Sequence, residues 1–231
     1  MADTKQVSIM HFSDVLCVWA YLSQIRMDEL NDTFAERINV QYHFIQVFGS
    51  VESKIEQNWG HRGGAGAYGK MVAELTSSFE HVDIHEDIWR QQRPTSSAPC
   101  HVFLKAAQRV EQKHCLPLLE TGKTISESLT WAMRTAFFRD LVDVSALSSQ
   151  LEIAEELGLP LANIEAEIFS GAAYAALEND RQLKDNYRVV GSPTLVFNEG
   201  RQVIYGNVGY RVIEANINEL LNQSGGLASW C

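Results

Sequence analysis

The sheet-forming pattern in this chain is interrupted, and the interruption limits the fold more than any other feature. Val7 to Phe12 is an apolar run of strand length, and Ile38, Val40, Tyr42 and Phe44 alternate with Asn39, Gln41 and His43 as a second strand. Between them Leu22, Ile25, Leu30 and Phe34 recur at helical spacing, predicting one helix from about Val18 to Glu36. A strand-helix-strand unit of this length reads as two parallel strands joined by a right-handed crossover. The strand pattern then vanishes at Gly49-Ser50. It returns only at Thr194 to Phe197 and Gln202 to Tyr205, which the turn Asn198-Glu199-Gly200-Arg201 joins into a hairpin. Ile213, Ile217, Leu220 and Leu221 then form the apolar stripe of a closing helix.

Between the two sheet regions almost every segment is helical in pattern. Glu52 to Trp59 reads as a short helix, His61 to Gly69 as a glycine-rich loop, and Met71 to Glu80 as a helix, with Val82 to Arg90 ambiguous. After the loop Arg93 to Pro99 come predicted helices over Val102 to Cys115, Thr124 to Asp140, Ser145 to Leu157 (capped by Ser145 and stopped by Gly158), and Leu161 to about Asn186. A block of this length is no loop. The expected organisation is α/β, with residues 1–48 and 188–231 forming one sheet-bearing domain and residues 49–187 an inserted all-helical subdomain. A frayed tail is expected from Ser224 to Cys231.

Composition narrows the function classes. The 231 residues carry a formal net charge of −10, which argues against nucleic acid or an anionic membrane as the main partner, since both select a basic face. The start, Met1 to Gln6, has no basic-then-apolar leader pattern, and no stretch reaches the length of a membrane span, so a cytoplasmic protein is expected. Cys17, Cys100, Cys115 and Cys231 are widely spaced, with no Cys-x-x-Cys pair and no zinc-ligand spacing. Structural disulfides are not expected in a reducing compartment, and no metal is expected.

Cys17 stands where the first strand gives way to the first helix. Unpaired N–H groups and the positive end of a helix dipole at such a junction favour a thiolate and lower a cysteine pKa. The expectation is an ionised nucleophile held by the N–H groups near Trp19 and Ala20; the bland reading is an inert buried thiol. The second informative stretch is Val190-Gly191-Ser192-Pro193-Thr194-Leu195-Val196-Phe197. A proline at the mouth of a strand gives up a ladder hydrogen bond and is, taken alone, an ordinary way to begin a strand.

Together the two stretches resemble the thioredoxin fold. Asp14-Val15-Leu16-Cys17-Val18-Trp19-Ala20-Tyr21-Leu22 is similar to the DsbA family, in particular its FrnE-like branch with an Asp-x-x-Cys-Pro-Trp-Cys-Tyr signature; Asp14, Cys17, Trp19 and Tyr21 match. The segment from Gly158 through Gly171 to Gly191-Ser192-Pro193-Thr194 resembles that family's run into a cis-proline loop, and the likeness spans about residues 6–222. It implies a thioredoxin-like fold with a helical insertion and a thiol-dependent oxidoreductase. Cys17 would be the nucleophile, Ser192 and Pro193 the floor that docks substrate main chain, and Val18, Trp19, Ala20 and Tyr21 the binding wall.

One departure alters the expected chemistry. The family's second cysteine falls at Ala20, and Val18 replaces its proline. A dithiol enzyme releases its mixed disulfide with the second thiol, and that route is closed here. A single-cysteine site would act on a disulfide or a glutathione-linked substrate, with glutathione as co-substrate or Cys100 as resolving thiol, and with no tightly bound cofactor. The kappa-class glutathione transferases and 2-hydroxychromene-2-carboxylate isomerases are similar in layout and carry serine where Cys17 lies. They give an alternative, a glutathione-dependent transferase or isomerase; a second alternative is a non-catalytic peptide-binding module. The expected partners are a small-molecule thiol or a protein disulfide. Relatives are often homodimers, though no apolar stripe here dictates one.

Three other patterns carry less. Gly64-Ala65-Gly66-Ala67-Tyr68-Gly69 has the letters of a dinucleotide fingerprint but no strand before it, so a flexible loop, possible as a lid over Cys17, is expected. His81 and His85 are four apart and read as a solvated helix face rather than metal ligands. Trp131 with Met133 and Phe137 reads as core.

Overall fold

A computed structural model describes residues 6–119 and 122–222. Four strands form one mixed sheet in the order β2-β1-β3-β4: β1 (Val7–Ser13), β2 (Ile38–Phe44), β3 (Thr194–Phe197) and β4 (Gln202–Tyr205). β1 pairs parallel with β2, Val7 opposite Ile38 and Ser13 opposite Phe44, and antiparallel with β3, Phe12 opposite Thr194. β3 and β4 form the hairpin. This is the thioredoxin-like arrangement.

Alternation along the strands sends side chains to two cores. Val7, Ile9, Leu195 and Phe197 face α2 (Gln24–Phe34) and α10 (Tyr210–Asn222), meeting Met27, Leu30, Phe34, Ile213 and Ile217. Met10, Phe12 and Val196 face the other way, with Val189 and Ile45. The chain between β2 and β3 supplies α3 (Val51–Trp59), α4 (Gly64–Thr76), α5 (Ala98–His114), α6 (Ile125–Phe138), α7 (Leu147–Glu156), α8 (Leu161–Phe169) and α9 (Ala172–Asn186). α5 is its axis, packing on α6, α8 and α9. These helices also close the open side of β2. Gln108 Nε2 donates to Tyr42 O at 3.1 Å, and Phe44 N–H donates to the buried Asp180 carboxylate at 2.8 Å.

Several boundaries differ from the sequence pattern. The first helix is two: α1 (Val18–Leu22) ends at Ser23, whose hydroxyl donates back to Ala20 O at 3.1 Å, and α2 starts afresh. Residues 64–69 are not a loop or lid but the first turns of α4. Gly69 is required there, because a Cβ would lie 2.1 Å from Ile88 O, a close approach that a local reading of glycines cannot see. His81 and His85 share no helix: His81 Nε2 bonds Leu22 O at 3.0 Å and His85 Nδ1 accepts from Asp87 N–H. Ser145 does not cap α7; its hydroxyl is held by Asp143, and Ala146 takes the cap position. The pattern from Leu161 to Asn186 breaks at Ser170, and Gly171 with φ 80° opens α9. Thr124 caps α6 through a reciprocal box with Glu127. The expected frayed tail and Cys231 lie outside the described residues.

Candidate active site

β1 ends at Ser13, and Asp14-Val15-Leu16 carries the buried chain across to Cys17, which caps α1 in extended conformation. From the other side of the sheet the run into β3 brings Ser192 against the same loop, and the Ser192–Pro193 peptide is cis. Asp14 N–H donates to Ser192 Oγ at 2.9 Å, and Cys17 Sγ donates to Ser192 O at 3.3 Å. Two stretches 175 residues apart in sequence therefore meet at one sulfur.

The sulfur is not in the state the sequence suggests. Cys17 is 6% exposed, and burial pushes its thiol above the usual range. The Ser192 side chain and the Ala20 and Trp19 amides pull it down, the negative Asp14 pushes it up, and burial prevails. The expectation of a resident thiolate is thus corrected to a neutral thiol donating to a carbonyl. Two physical causes are visible. α1 is only five residues long, so few aligned peptides contribute to its dipole, and the apolar neighbours Val15, Leu16 and Phe48 exclude water.

Asp14 is the polar anchor of the loop. Its carboxylate accepts from Leu16 N–H at 2.9 Å, Phe48 N–H at 2.8 Å and Ser97 Oγ at 2.9 Å. His101 Nε2 accepts from Val15 N–H at 3.0 Å and stands 3.5 Å from Asp14 Oδ1. Burial pushes this carboxyl up, but His101 and then the Phe48 and Leu16 amides outweigh it and hold it below the ordinary range. Asp14 so ties the Cys17 loop to the chain after β2 and to the start of α5.

Of the expected wall, Val18, Ala20 and Tyr21 are enclosed, and Trp19 alone of the four is partly open. Tyr21 packs against Trp131 and Phe138, ring centroids 5.0 Å from each, so the partly buried Trp131 lies against the core that holds Met133 and Phe137. Ser192 and Pro193 are buried, whereas Val190 beside them is 78% exposed. Cys100, in the first turn of α5, is fully enclosed and free, and burial pushes its thiol far up. It has neither the access nor the acidity of a resolving thiol, which corrects that expectation. Cys115 is free and exposed at the end of α5.

Over the site lies an aromatic group that single-residue motifs do not reveal. Tyr68 of α4 packs on Phe48, Trp59 and Trp89. Burial raises its hydroxyl pKa, and a Cys17 thiolate or the Asp14 carboxylate would raise it further. His101, Ser97 and Arg134 were also missed. Arg134 left one sign in the sequence, a charge on the same side of α6 as Trp131 and Phe138. Among the described residues no three His, Cys, Asp or Glu side chains gather as metal ligands, and no described helix is long and apolar enough to cross a membrane.

Comparison with known proteins agrees with the fold. A family model described as a DSBA-like thioredoxin domain matches residues 8–218. A probable DsbA oxidoreductase from Streptomyces coelicolor superposes with a TM-score of 0.72 at 16% identity, over 97% of this chain and 94% of the other. The cytosolic disulfide reductase DsbM from Pseudomonas aeruginosa gives 0.63 at 18% identity, over 91% and 98%. A 2-hydroxychromene-2-carboxylate isomerase gives 0.59 at 15% identity, over 96% and 100%. Comparison with curated protein sequences finds no match.

Proposed function

The chain belongs to the DSBA-like thioredoxin family, and from that premise we propose that it is a single-cysteine, glutathione-coupled thiol oxidoreductase acting at Cys17. The observation that carries the reading is the convergence of the Cys17 sulfur, 3.3 Å from Ser192 O, with the cis Ser192–Pro193 peptide. The absence of a thiol at position 20 limits the chemistry. The ionised Cys17 sulfur attacks the glutathione sulfur of a mixed disulfide. A Cys17–glutathione disulfide forms, the substrate thiolate leaves, and a second glutathione thiolate then attacks the bound glutathione sulfur, giving oxidised glutathione and free Cys17. Overall, one free glutathione converts the mixed disulfide to a substrate thiol, and its sulfur leaves joined to the glutathione taken from the substrate as oxidised glutathione. Ser192 and Pro193 dock the substrate main chain, and Trp19 borders the opening. DsbM, one of the similar structures, is described as a cytosolic reductase and is also known bound to glutathione, which supports this reading and a reducing cytoplasmic compartment for this chain.

One observation favours a second reading. A neutral Cys17 thiol is a hydrogen-bond donor, the role needed to hold the thiolate of a bound glutathione in a transferase or isomerase. Cys17→Ser separates the two. With a glutathione-linked peptide as substrate, the oxidoreductase loses at least about a hundredfold in turnover, since a hydroxyl cannot replace the thiolate nucleophile. Retained turnover of an electrophile with glutathione would assign the second reading instead.

A further inference from the structure

The sheet has two edges, and the chain treats them differently. On β2, Tyr42 O and Phe44 N–H are taken by Gln108 and Asp180 of the helical block. β4 ends the sheet on the other side, and no strand lies beyond it among the described residues. β4 also carries apolar side chains in the open. Register sets Val203 opposite Val196 and Tyr205 opposite Thr194, so both point to the face that holds Met10, Phe12 and Val196. Over Val196 that face is sealed, with Val189 and Tyr187 packed on it. Over β4 the cover has run out: Val203 is 48% and Tyr205 55% exposed, and Val190, the neighbour of Val189, is bare.

This apolar strip runs into the site. The Tyr205 ring lies across Gly191, so close that a Cβ there would be 2.8 Å from its Cε2 and from its hydroxyl oxygen. Only glycine lets the ring settle on the chain at that point. Ser192 comes next; its carbonyl accepts from Cys17 Sγ at 3.3 Å, and its peptide to Pro193 is cis. From the strand side, Gly206 N–H donates to Pro193 O at 2.9 Å. The end of β4 and the proline loop are therefore joined, with Val190 and the Tyr205 ring on the two sides of Gly191 and the reacting sulfur one residue further in.

A contiguous apolar strip that ends at a nucleophile marks a place where a partner is received, unlike apolar residues scattered singly. Glutathione carries two carboxylates, an amine and a glycine but no apolar side chain, so glutathione docked at Ser192 leaves the strip bare. The other half of the mixed disulfide is the part with apolar side chains to offer. We infer that Val190, Tyr205 and Val203 form a docking strip for an extended segment of a protein substrate with apolar residues close to its reacting cysteine. The favoured substrate is then a glutathionylated protein, not a small disulfide. That choice of substrate rests on the proposed reaction at Cys17; the strip itself does not. The segment lays its main chain on Ser192 and continues over Tyr205 to Val203, which stand about 7 Å apart, two residues of extended chain. The open edge of β4 offers it backbone hydrogen bonds on the way.

Fluorescence polarisation with labelled nonapeptides tests the strip without turnover. Each peptide has a central S-methylcysteine, flanked by glycine and serine alone or with leucines at two positions on either side. Wild type is expected to bind the leucine peptide at least about tenfold more tightly than the serine peptide, a discrimination within reach of one or two apolar side chains. Val190→Ser combined with Tyr205→Ser should bring that ratio close to one. Equal binding of both peptides by wild type, or a ratio that the folded double variant leaves unchanged, overturns the inference. Circular dichroism checks the fold, since Tyr205 lies on Gly191; should the double variant not fold, Val190→Lys decides alone and is expected to lower the ratio by at least about threefold. Sedimentation velocity gives one more way to fail: a dimeric wild type made monomeric by these substitutions assigns the strip to a second copy of the chain and overturns the inference. Turnover separates the two claims. Leucine-selective binding by a protein without oxidoreductase activity keeps the strip and removes the reaction, whereas activity on glutathionylated peptides with no leucine preference keeps the reaction and removes the strip.

Discussion

Asp14→Asn would separate two effects of one carboxylate. Oδ2 accepts from Phe48 N–H at 2.8 Å and Ser97 Oγ at 2.9 Å, and Oδ1 accepts from Leu16 N–H at 2.9 Å. Asparagine keeps one acceptor oxygen, and its NH2 group faces whichever donors the other oxygen served. The better orientation keeps the Phe48 and Ser97 bonds and turns NH2 toward Leu16 N–H. Losing a bond to a charged acceptor costs about 1.5–3 kcal/mol, and the stranded donor adds to it, so a loss of about 2–4 kcal/mol is expected. For a chain of this size the melting temperature should fall by roughly 4–16 °C. The same substitution removes the negative charge that pushes the Cys17 thiol up, so alkylation near neutrality should become faster as stability drops. The folded carboxyl lies below its ordinary range, so its stabilisation is present above about pH 3.9 and is lost as pH falls through the folded value. Thermal unfolding from neutral to acid pH should therefore show the gap between wild type and variant closing in acid. A variant as stable as wild type near neutrality, or one alkylated more slowly, would refute the reasoning.

Other predictions are simpler. His11 is buried and its pKa is lowered to about 3, chiefly by burial and then by Arg134. A depressed histidine favours folding when neutral, so stability should fall as pH drops from about 6.5, the ordinary histidine value, toward that lower one. His11→Gln should flatten this part of a urea-midpoint profile, and an unchanged acid slope would count against it. Gly69→Ala puts a Cβ 2.1 Å from Ile88 O and should destabilise by about 1–3 kcal/mol in chemical denaturation. Burial raises the Cys17 and Cys100 thiols, so both favour folding while protonated, and that contribution should be lost as pH rises past about 8.5. Cys17→Ala and Cys100→Ala should each reduce the alkaline loss of stability.

Much of the scaffold was written in local pattern. The alternation from Ile38 to Phe44 marks a strand with one apolar side, and in the hairpin β4 alternates in exposure while β3, buried on both faces, reads as a short continuous apolar run. Where local pattern misleads, a distant contact decides. Glycines at 63–69 read as a loop, yet α4 needs Gly69 to lie against Ile88. The first helix reads as continuous, yet Ser23 turns its hydroxyl inward and ends it. At the site, Cys17, Ser192 and Pro193 were legible through motif resemblance. The neutral state of the sulfur was not, because it depends on how tightly Val15, Leu16 and Phe48 enclose it. Asp14's partners at Ser97 and His101 lie 83 or more residues away, beyond the reach of any spacing rule.

Gln108 and Asp180 do more than join the helices to β2. By occupying Tyr42 O and Phe44 N–H they remove bonding positions that another polypeptide could otherwise zip onto. Excising the helices to leave a minimal redox module would bare this ribbon, and the trimmed protein should self-associate. The helical block is in this sense a chaperone covalently attached to its client.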